Sequence, residues 1–321
     1  MGHYTDEIDL KVHVLKTLLY YDIFNYPLKS KEVFHFLGTN SIAEDHVRRT
    51  LDALANEILI YRFDNLYSLH PNESNIKRRV KGNNEAEKYL VLAHKKAKLI
   101  SRFPFVRGVF ASGSLSKGYM DENSDIDFFI ITTPNRLWIA RTLLVLYKRL
   151  FLGGSRKHFC VNYFVDEDHL EIEEKNLFTA TELATLLPLY GSEEYFKLIE
   201  SNDWLKGFFP NYVSRPTENV PKSTVSVFKR ALEAFISACF ATKIESYFKR
   251  LTMKRWKKIF ESQYSKADFD IAFKSKSYAS KHHPQHFQRK VMETYAEKLK
   301  LFNFSSVVKN NRALPLDNGV Q

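Results

Sequence analysis

One stretch of the chain, residues 110–131, constrains the fold more than any other. A β-rich run, residues 106–112, ends directly at the pair Gly113-Ser114, and a second apolar run opens with Asp125 and Asp127. Side chains two residues apart on a strand point to the same face of a sheet. The spacing therefore predicts that both carboxylates lie on one face, while the apolar residues between and after them are buried on the other.

The elements that follow indicate a small sheet with helices. The pattern predicts a helix over residues 134–151, a third strand over residues 158–165, and a short fourth strand over residues 169–172. A strand, loop, strand, helix, strand order is typical of an α/β or α+β unit. We assign the α+β class, with a small mixed sheet at the centre.

The residue types at this sheet point to metal and phosphate chemistry. Two neighbouring carboxylates provide the hard oxygen ligands that Mg²⁺ prefers. A glycine at the end of a strand allows the backbone to approach a phosphate closely, and Ser114 adds a hydroxyl donor. Divalent ions and phosphates occur together because the ion neutralises charge on the phosphate oxygens during displacement at phosphorus.

Taken together, this segment resembles the signature of the DNA polymerase β-like nucleotidyltransferase superfamily. The resemblance rests on an apolar strand, the pair Gly113-Ser114, ten intervening residues, and the triplet Asp125-Ile126-Asp127 followed by apolar residues. It implies that Asp125 and Asp127 hold Mg²⁺ or Mn²⁺ and that Gly113 and Ser114 cradle the phosphates of a nucleoside triphosphate, with ATP the expected donor. We expect Ser116 and Lys117, in the same loop, to contribute to nucleotide binding.

In that superfamily a third carboxylate on a later strand usually completes the metal site. Asn162 stands at the corresponding place in this chain, and an amide carries no charge and cannot serve as a base. Glu171 is an alternative source of the third acid if its segment folds as a strand beside the site. The sequence leaves both possibilities open.

The first part of the chain predicts a separate module. Three short amphipathic helices, followed by two short strands around Asp64-Asn65, resemble a winged helix-turn-helix domain. Arg48 and Arg49 on the third helix would be the groups that approach DNA. Up to Asn75 the module carries 7 basic against 11 acidic side chains, and this acidic balance opposes DNA affinity, because such affinity depends on phosphate neutralisation. We therefore treat DNA binding as possible but not favoured.

Charge separates the last third of the chain from the rest. The formal net charge is +11, and residues 222–300 carry 18 basic against 7 acidic side chains, a difference of +11. We therefore predict three parts: a winged-helix-like module over residues 1–82, a nucleotidyltransferase-like domain over residues 83–221, and a basic helical domain with a tail over residues 222–321. The absence of a signal-peptide pattern or a long uncharged apolar stretch predicts a cytoplasmic protein without a membrane partner.

These features lead to a functional hypothesis with two alternatives. The hypothesis is metal-dependent transfer of a nucleotidyl group from a nucleoside triphosphate to an acceptor hydroxyl on a small molecule, a protein or RNA. The first alternative is a nucleotide-binding module that has lost turnover, which Asn162 permits. The second is a winged-helix DNA-binding regulator in which the central domain senses nucleotide.

Overall fold

The computed structural model of the chain describes residues 2–39, 43–153, 157–238, 241–282, 287–302 and 304. Its helices are α1 (Gly2–Asp22), α2 (Ser30–His35), α3 (Glu44–Asn56), α4 (Glu73–Ile100), α5 (Gly113–Ser116), α6 (Leu137–Phe151), α7 (Leu177–Thr185), α8 (Ser192–Glu200), α9 (Leu205–Phe208), α10 (Val227–Ala238), α11 (Ala241–Phe260), α12 (Lys266–Ala272) and α13 (Phe287–Leu301). Its strands are β1 (Tyr61–Phe63), β2 (Leu66–Ser68), β3 (Val106–Ser112), β4 (Asp127–Thr132), β5 (Cys160–Asp166), β6 (Leu187–Tyr190) and β7 (Ala279–Lys281). Of the helices in these ranges, none combines the length and apolarity that a membrane crossing requires.

The chain divides into two compact units that do not follow its linear order. The first unit combines residues 1–80, 204–213 and 288–321, and the second combines residues 81–203 and 214–287. The predicted boundary at residue 222 therefore does not separate the units. Strand β7, from the segment expected to be a helical domain, pairs with β5 instead.

In the first unit, three helices precede a two-stranded ribbon. Helices α1, α2 and α3 are followed by β1 and β2, which pair antiparallel. This is the element order that the sequence predicted. Helix α3 buries Val47, Leu51 and Leu54 completely, and these residues recur at the spacing of one helix face. Its assignment as a winged helix stays a prediction.

A five-stranded mixed sheet forms the second unit, in the order β6-β3-β4-β5-β7. Strands β4 and β5 are parallel, and the other neighbouring pairs are antiparallel. Helix α6 connects β4 to β5, which is the usual way for parallel neighbours to be joined. The α+β class with a small mixed sheet agrees with this arrangement.

The two faces of the sheet are covered differently. On one face Phe128 and Phe159 belong to a large apolar cluster that includes Trp138 of α6. On the other, Phe110 packs against Phe129 and against Tyr195 of α8, with ring centroids 6.1 and 5.6 Å apart. The central strands are buried on both faces and are correspondingly rich in aromatic and β-branched residues.

Two strand predictions differ from the structure. Residues 169–172 form no strand, and β6 and β7 complete the sheet in their place. The second apolar run, which opens with Asp125 in the sequence, forms a strand that begins at Asp127, so that Asp125 precedes the strand. The ladder nevertheless starts earlier, because the backbone of Ile126 donates to Lys157 O and accepts from Cys160 N.

Candidate active site

The acid pair lies at the beginning of β4, on one face of the sheet. Ile126 and Phe128 are fully buried in the apolar cluster, whereas Asp125 and Asp127 are only half-buried. The alternation expected of an extended chain therefore holds across the start of the strand. It directs both carboxylates away from the cluster.

Gly113 brings the end of β3 into contact with Asp127. Ser112 pairs with Asp127 in the β3–β4 register, and Gly113 follows with φ of +65°, a left-handed conformation that favours glycine. A Cβ built on Gly113 would lie 2.6 Å from Asp127 Oδ2, closer than non-bonded atoms approach. The glycine is therefore required twice, by its backbone angle and by the carboxylate beside it.

Asn162 occupies a bulge in β5 and turns toward the same carboxylate. The β4–β5 register skips one residue, since Phe128 pairs with Val161 and Phe129 with Tyr163. The Asn162 Nδ2 group donates to Asp127 Oδ1 over 2.6 Å. Bulges commonly redirect a side chain in this way.

Cys160 fixes the other end of the Asn162 amide. The Cys160 thiol donates to Asn162 Oδ1 over 3.0 Å. Burial raises the pKa of this thiol to about 12, so it stays protonated and keeps its donor. Because Oδ1 of Asn162 accepts from the thiol, the Nδ2 group is the side of the amide that faces the Asp127 carboxylate.

Glu171, the other candidate for the third acidic position, does not lie on a strand. Its side chain is exposed and pairs with Lys175 over 2.6 Å. The condition under which Glu171 would supply the third acid, a strand beside the site, is therefore not met. Asn162 is the residue that contacts Asp127.

Electrostatics make Asp127 an unusual carboxyl group. Burial, together with the neighbouring charges of Asp125 and Glu182, raises its pKa to about 7. The Cys160 thiol and the Lys117 ammonium act in the opposite direction. Like charges held close together without full compensation are typical of a site that receives a cation.

Glu182 was not anticipated by the sequence analysis. It lies on α7, where Asn176 Oδ1 caps the helix by accepting from Thr179 N over 3.0 Å. Glu182 Oε1 pairs with Lys117 Nζ over 2.7 Å, and Lys117 also donates to Gly113 O over 3.1 Å. A single acid on a nine-residue helix gives no sequence signal of this placement.

Ser116 stabilises the bend that Gly113–Ser116 forms after β3, and its side chain faces the protein interior. It is buried, and its hydroxyl donates to Gly113 O over 2.9 Å. We expected this hydroxyl to donate to a phosphate, but the structure turns it into the protein. Ser114, by contrast, is half-buried at the start of α5.

Arg215 joins the bend to α7 and was also missed. Its Nη2 group donates to Ser116 O over 2.7 Å and to Thr185 O over 3.3 Å. Arg215 lies within the predicted domain over residues 83–221, but far beyond the motif in residues 110–131 and in an irregular stretch. Nothing in its local sequence indicates this contact.

The donor set fits a divalent cation that is completed by other oxygens. Among the described residues, no three His, Cys, Asp or Glu side chains are grouped as a ready-made metal site. Asp125 and Asp127 nevertheless offer carboxylate oxygens beside a bend that has no room for a Cβ. Such a pair suits Mg²⁺, which commonly takes one or two carboxylates together with substrate phosphates.

Comparison with known proteins finds a match over part of the chain. Residues 94–204 match the family model described as a nucleotidyltransferase domain. The matched segment contains Gly113, Asp125, Asp127, Asn162 and Glu182. No curated protein and no solved structure matched the chain. The match over residues 94–204 supports nucleotidyl transfer as the general class of activity.

Proposed function

We propose that the chain is a metal-dependent nucleotidyltransferase that moves a nucleotidyl group from a nucleoside triphosphate, with ATP the expected donor, to an acceptor hydroxyl. The proposal rests on the close approach of the backbone at Gly113 to the Asp127 carboxylate. A Cβ on residue 113 would lie only 2.6 Å from Asp127 Oδ2. This contact joins the two halves of the motif in space. The acceptor classes are the three expected from the sequence: a small molecule, a protein or RNA.

Each site residue has a role that its chemistry permits. Asp125 and Asp127 would hold Mg²⁺ or Mn²⁺, which when bound neutralises phosphate charge during displacement at phosphorus. The backbone at Gly113 and the hydroxyl of Ser114 would contact the phosphates. Lys117, which now pairs with Glu182, places a positive charge at the same bend.

Asn162 acts through Asp127 rather than on the substrate. By donating to Oδ1 over 2.6 Å it holds the carboxylate in one orientation. An amide cannot accept the proton of the attacking hydroxyl. We therefore assign Asn162 a positioning role, and we propose Glu182 as the further carboxylate that strengthens the negative potential of the site.

One observation favours the alternative in which the domain binds nucleotide without turnover. The group beside Asp127 on β5 is an amide, and the described residues hold no grouped set of three metal-binding side chains. A site of this composition can bind a metal–triphosphate complex and lack the base for transfer. Binding and turnover therefore need to be measured separately.

The test is incubation of the chain with each labelled triphosphate, Mg²⁺ or Mn²⁺, and RNA, protein and small-molecule acceptors. We expect labelled acceptor and released pyrophosphate, and we expect both to disappear when Asp125 and Asp127 are changed together to Asn. Glu171→Gln removes an exposed carboxylate and is the matched control. Unchanged turnover in the double variant would contradict the proposed site, and metal-dependent binding with no pyrophosphate release would establish the alternative.

For the first unit we propose a winged-helix-like module. The DNA-binding hypothesis for it is not favoured, because Asp45 pairs with both arginines that would approach DNA. Arg48 lies 2.5 Å and Arg49 3.4 Å from its carboxylate. Salt-sensitive duplex binding that disappears in the Arg48→Ala, Arg49→Ala double variant would reverse this judgement.

A further inference from the structure

Arg141, on α6, is a buried cation without a polar partner among the described residues. The residue is 8% exposed, and its Cζ lies 4.7 Å from the ring centroid of Trp256 and 5.6 Å from that of Trp138. Among the described residues, none accepts a hydrogen bond from its guanidinium or forms an ion pair with it. A cation that is largely removed from water normally has such a partner. The nitrogens of Arg141 are not completely buried, so the edge of its guanidinium group still reaches solvent.

Other buried cations of the same unit satisfy this requirement. Lys229 donates to the carbonyl oxygens of Ser101 and Val106 over 2.8 and 2.7 Å. Lys274 pairs with Glu174 over 2.7 Å. Arg141 therefore departs from the pattern that the rest of the unit follows.

The charged group that bears on Arg141 is a second cation. Burial, together with the neighbouring charge of Arg255, lowers the pKa of Arg141 to about 10. Arg141 still stays protonated at neutral pH. Arg255 directly precedes Trp256, whose ring lies 4.7 Å from Arg141 Cζ, so the second guanidinium group is attached next to the ring that Arg141 contacts.

Contact with the indole rings compensates for only part of this cost. Cation–π attraction acts on the charge as a whole. The N–H groups at the edge of the guanidinium need acceptors of their own, and indole rings offer none in the ring plane. A planar fork of N–H donors matches the oxygens of a phosphate, which can accept from it in a bidentate manner.

Helix α11 continues the positive charge beyond this point. Lys254, Arg255, Lys257 and Lys258 are exposed along it. The acid within α11, Glu245, is buried and accepts from the backbone of Trp138 and Ile139 over 2.6 and 2.9 Å. Of the four exposed cations, Lys257 pairs with Glu261, just after the helix, over 3.8 Å, and among the described residues the other three form no ion pair.

We propose that Arg141 and Arg255, beside Trp256, form a binding site for a phosphate group, distinct from the site at Asp127. The phosphate belongs either to a free phosphate or pyrophosphate ion or to a polynucleotide backbone. The run of exposed cations on α11 favours the polynucleotide, because it extends the positive surface over more than one phosphate.

The test uses tryptophan fluorescence of the full chain, with Trp204→Phe as the background so that Trp138 and Trp256 report. The probes are sodium phosphate, pyrophosphate, a short single-stranded RNA and polyglutamate. We expect a saturable change with at least one phosphate-bearing probe. Saturation by the two small ions identifies a free-ion site, and saturation by the RNA alone identifies the backbone as the source.

Two variants distinguish phosphate binding at this site from nonspecific attraction to a positively charged surface. Arg255 is exposed, so Arg255→Ala is expected to fold, and it should weaken binding by about tenfold, the loss of one charge-assisted hydrogen bond. Lys98→Ala removes an exposed cation from α4, outside this run on α11, and should alter binding by less than about twofold. Equal losses in the two variants, no saturable change with any phosphate probe, or equally tight binding of polyglutamate would each overturn the proposal.

Discussion

At the scale of single residues, Gly113 carries two independent constraints. Its φ of +65° disfavours any side chain, and a Cβ there would lie 2.6 Å from Asp127 Oδ2. Gly153 has a similar φ of +56° but has nothing within 4 Å of the same built atom. The chain thus contains a natural control that separates backbone strain from collision with the carboxylate.

We expect Gly113→Ala to abolish metal-dependent transfer, because the new methyl group displaces the Asp127 carboxylate. Both Gly113→Ala and Gly153→Ala should lower the free energy of unfolding by about 1–2 kcal/mol through left-handed strain. Pyrophosphate release and urea unfolding of both variants measure the two effects. Equal activity of the two alanine variants would show that the collision has no consequence for the site.

Asp127 is predicted to make the unliganded chain less stable as pH rises. Its folded pKa of about 7 lies above the unfolded value of 3.8, so the folded chain retains a proton that the unfolded chain releases. Stability therefore falls as pH rises between these values and levels off above pH 7. The cause is burial of the carboxylate, strengthened by Asp125 and Glu182.

Asp127→Asn should remove this penalty while retaining an oxygen that accepts from Asn162. We expect the variant to gain stability relative to the native chain, and the gain to be about 1–3 kcal/mol larger at pH 8 than at pH 5. Urea unfolding in the presence of a chelator measures the difference. The same variant should lose transfer activity. A gain that does not change with pH would contradict the raised pKa.

At the scale of elements, the site depends on contacts between segments far apart in the chain. The bend at α5 is joined to α7 by the Lys117–Glu182 pair and by Arg215, which reaches carbonyls on both. The short length of α5 makes these external contacts important, because four residues form little internal hydrogen bonding. Helix α7 thus supports the bend and adds a carboxylate to it.

We expect Glu182→Gln to raise the Mg²⁺ concentration needed for half-maximal pyrophosphate release by about three- to tenfold. The reason is the loss of one negative charge near Asp127, which weakens attraction for a cation in a partly buried site. Titration of activity with Mg²⁺ measures the shift, and Glu171→Gln provides the matched control with an exposed carboxylate. An unaltered Mg²⁺ dependence in Glu182→Gln would remove Glu182 from the proposed site.

The elements that the sequence predicted well are those whose patterns are local. Strands β3, β4 and β5 and helix α6 follow from continuous apolar runs, and the convergence of Gly113 with Asp127 follows from the antiparallel pairing of β3 and β4. Strands β6 and β7 are only four and three residues long, and their partners are remote. Short runs without alternation do not predict a strand, which is why the two outer strands were missed. Glu182 and Arg215 were missed because they contact the bend from segments far away in the chain.

At the scale of the whole molecule, linear order is a poor guide to the units. The first unit includes residues 204–213 and 288–302 as well as its first 80 residues. Phe209 packs on Phe36, and Tyr295 on Tyr20, with ring centroids 5.4 and 5.5 Å apart. An aromatic residue that packs in a distant core looks the same in sequence as one that packs in a nearby core. The prediction of a module over residues 1–82, made from local helix and strand patterns, could therefore not include Phe209 and Tyr295.

This arrangement predicts that a fragment of residues 1–82 does not form a cooperative unit. It lacks Phe209, Tyr295 and Lys298, whose ammonium pairs with Asp22 over 2.6 Å in the full chain. Each missing aromatic contact removes about 2 kcal/mol of burial, a large share for a fragment of this size.

Thermal unfolding followed by circular dichroism should give the fragment a broad, weakly cooperative transition, while the full chain unfolds sharply. In the full chain, Tyr295→Ala should lower the melting temperature, because it exposes part of Tyr20, whereas Lys300→Ala on the same helix removes an exposed side chain and should leave it unchanged. A sharp transition of the isolated fragment would mean that its three helices and ribbon are sufficient, and that residues 204–213 and 288–302 only cover a core that is already formed. The two results therefore decide whether the N-terminal module is an independent domain, as its sequence predicts, or one part of a unit assembled from three segments of the chain.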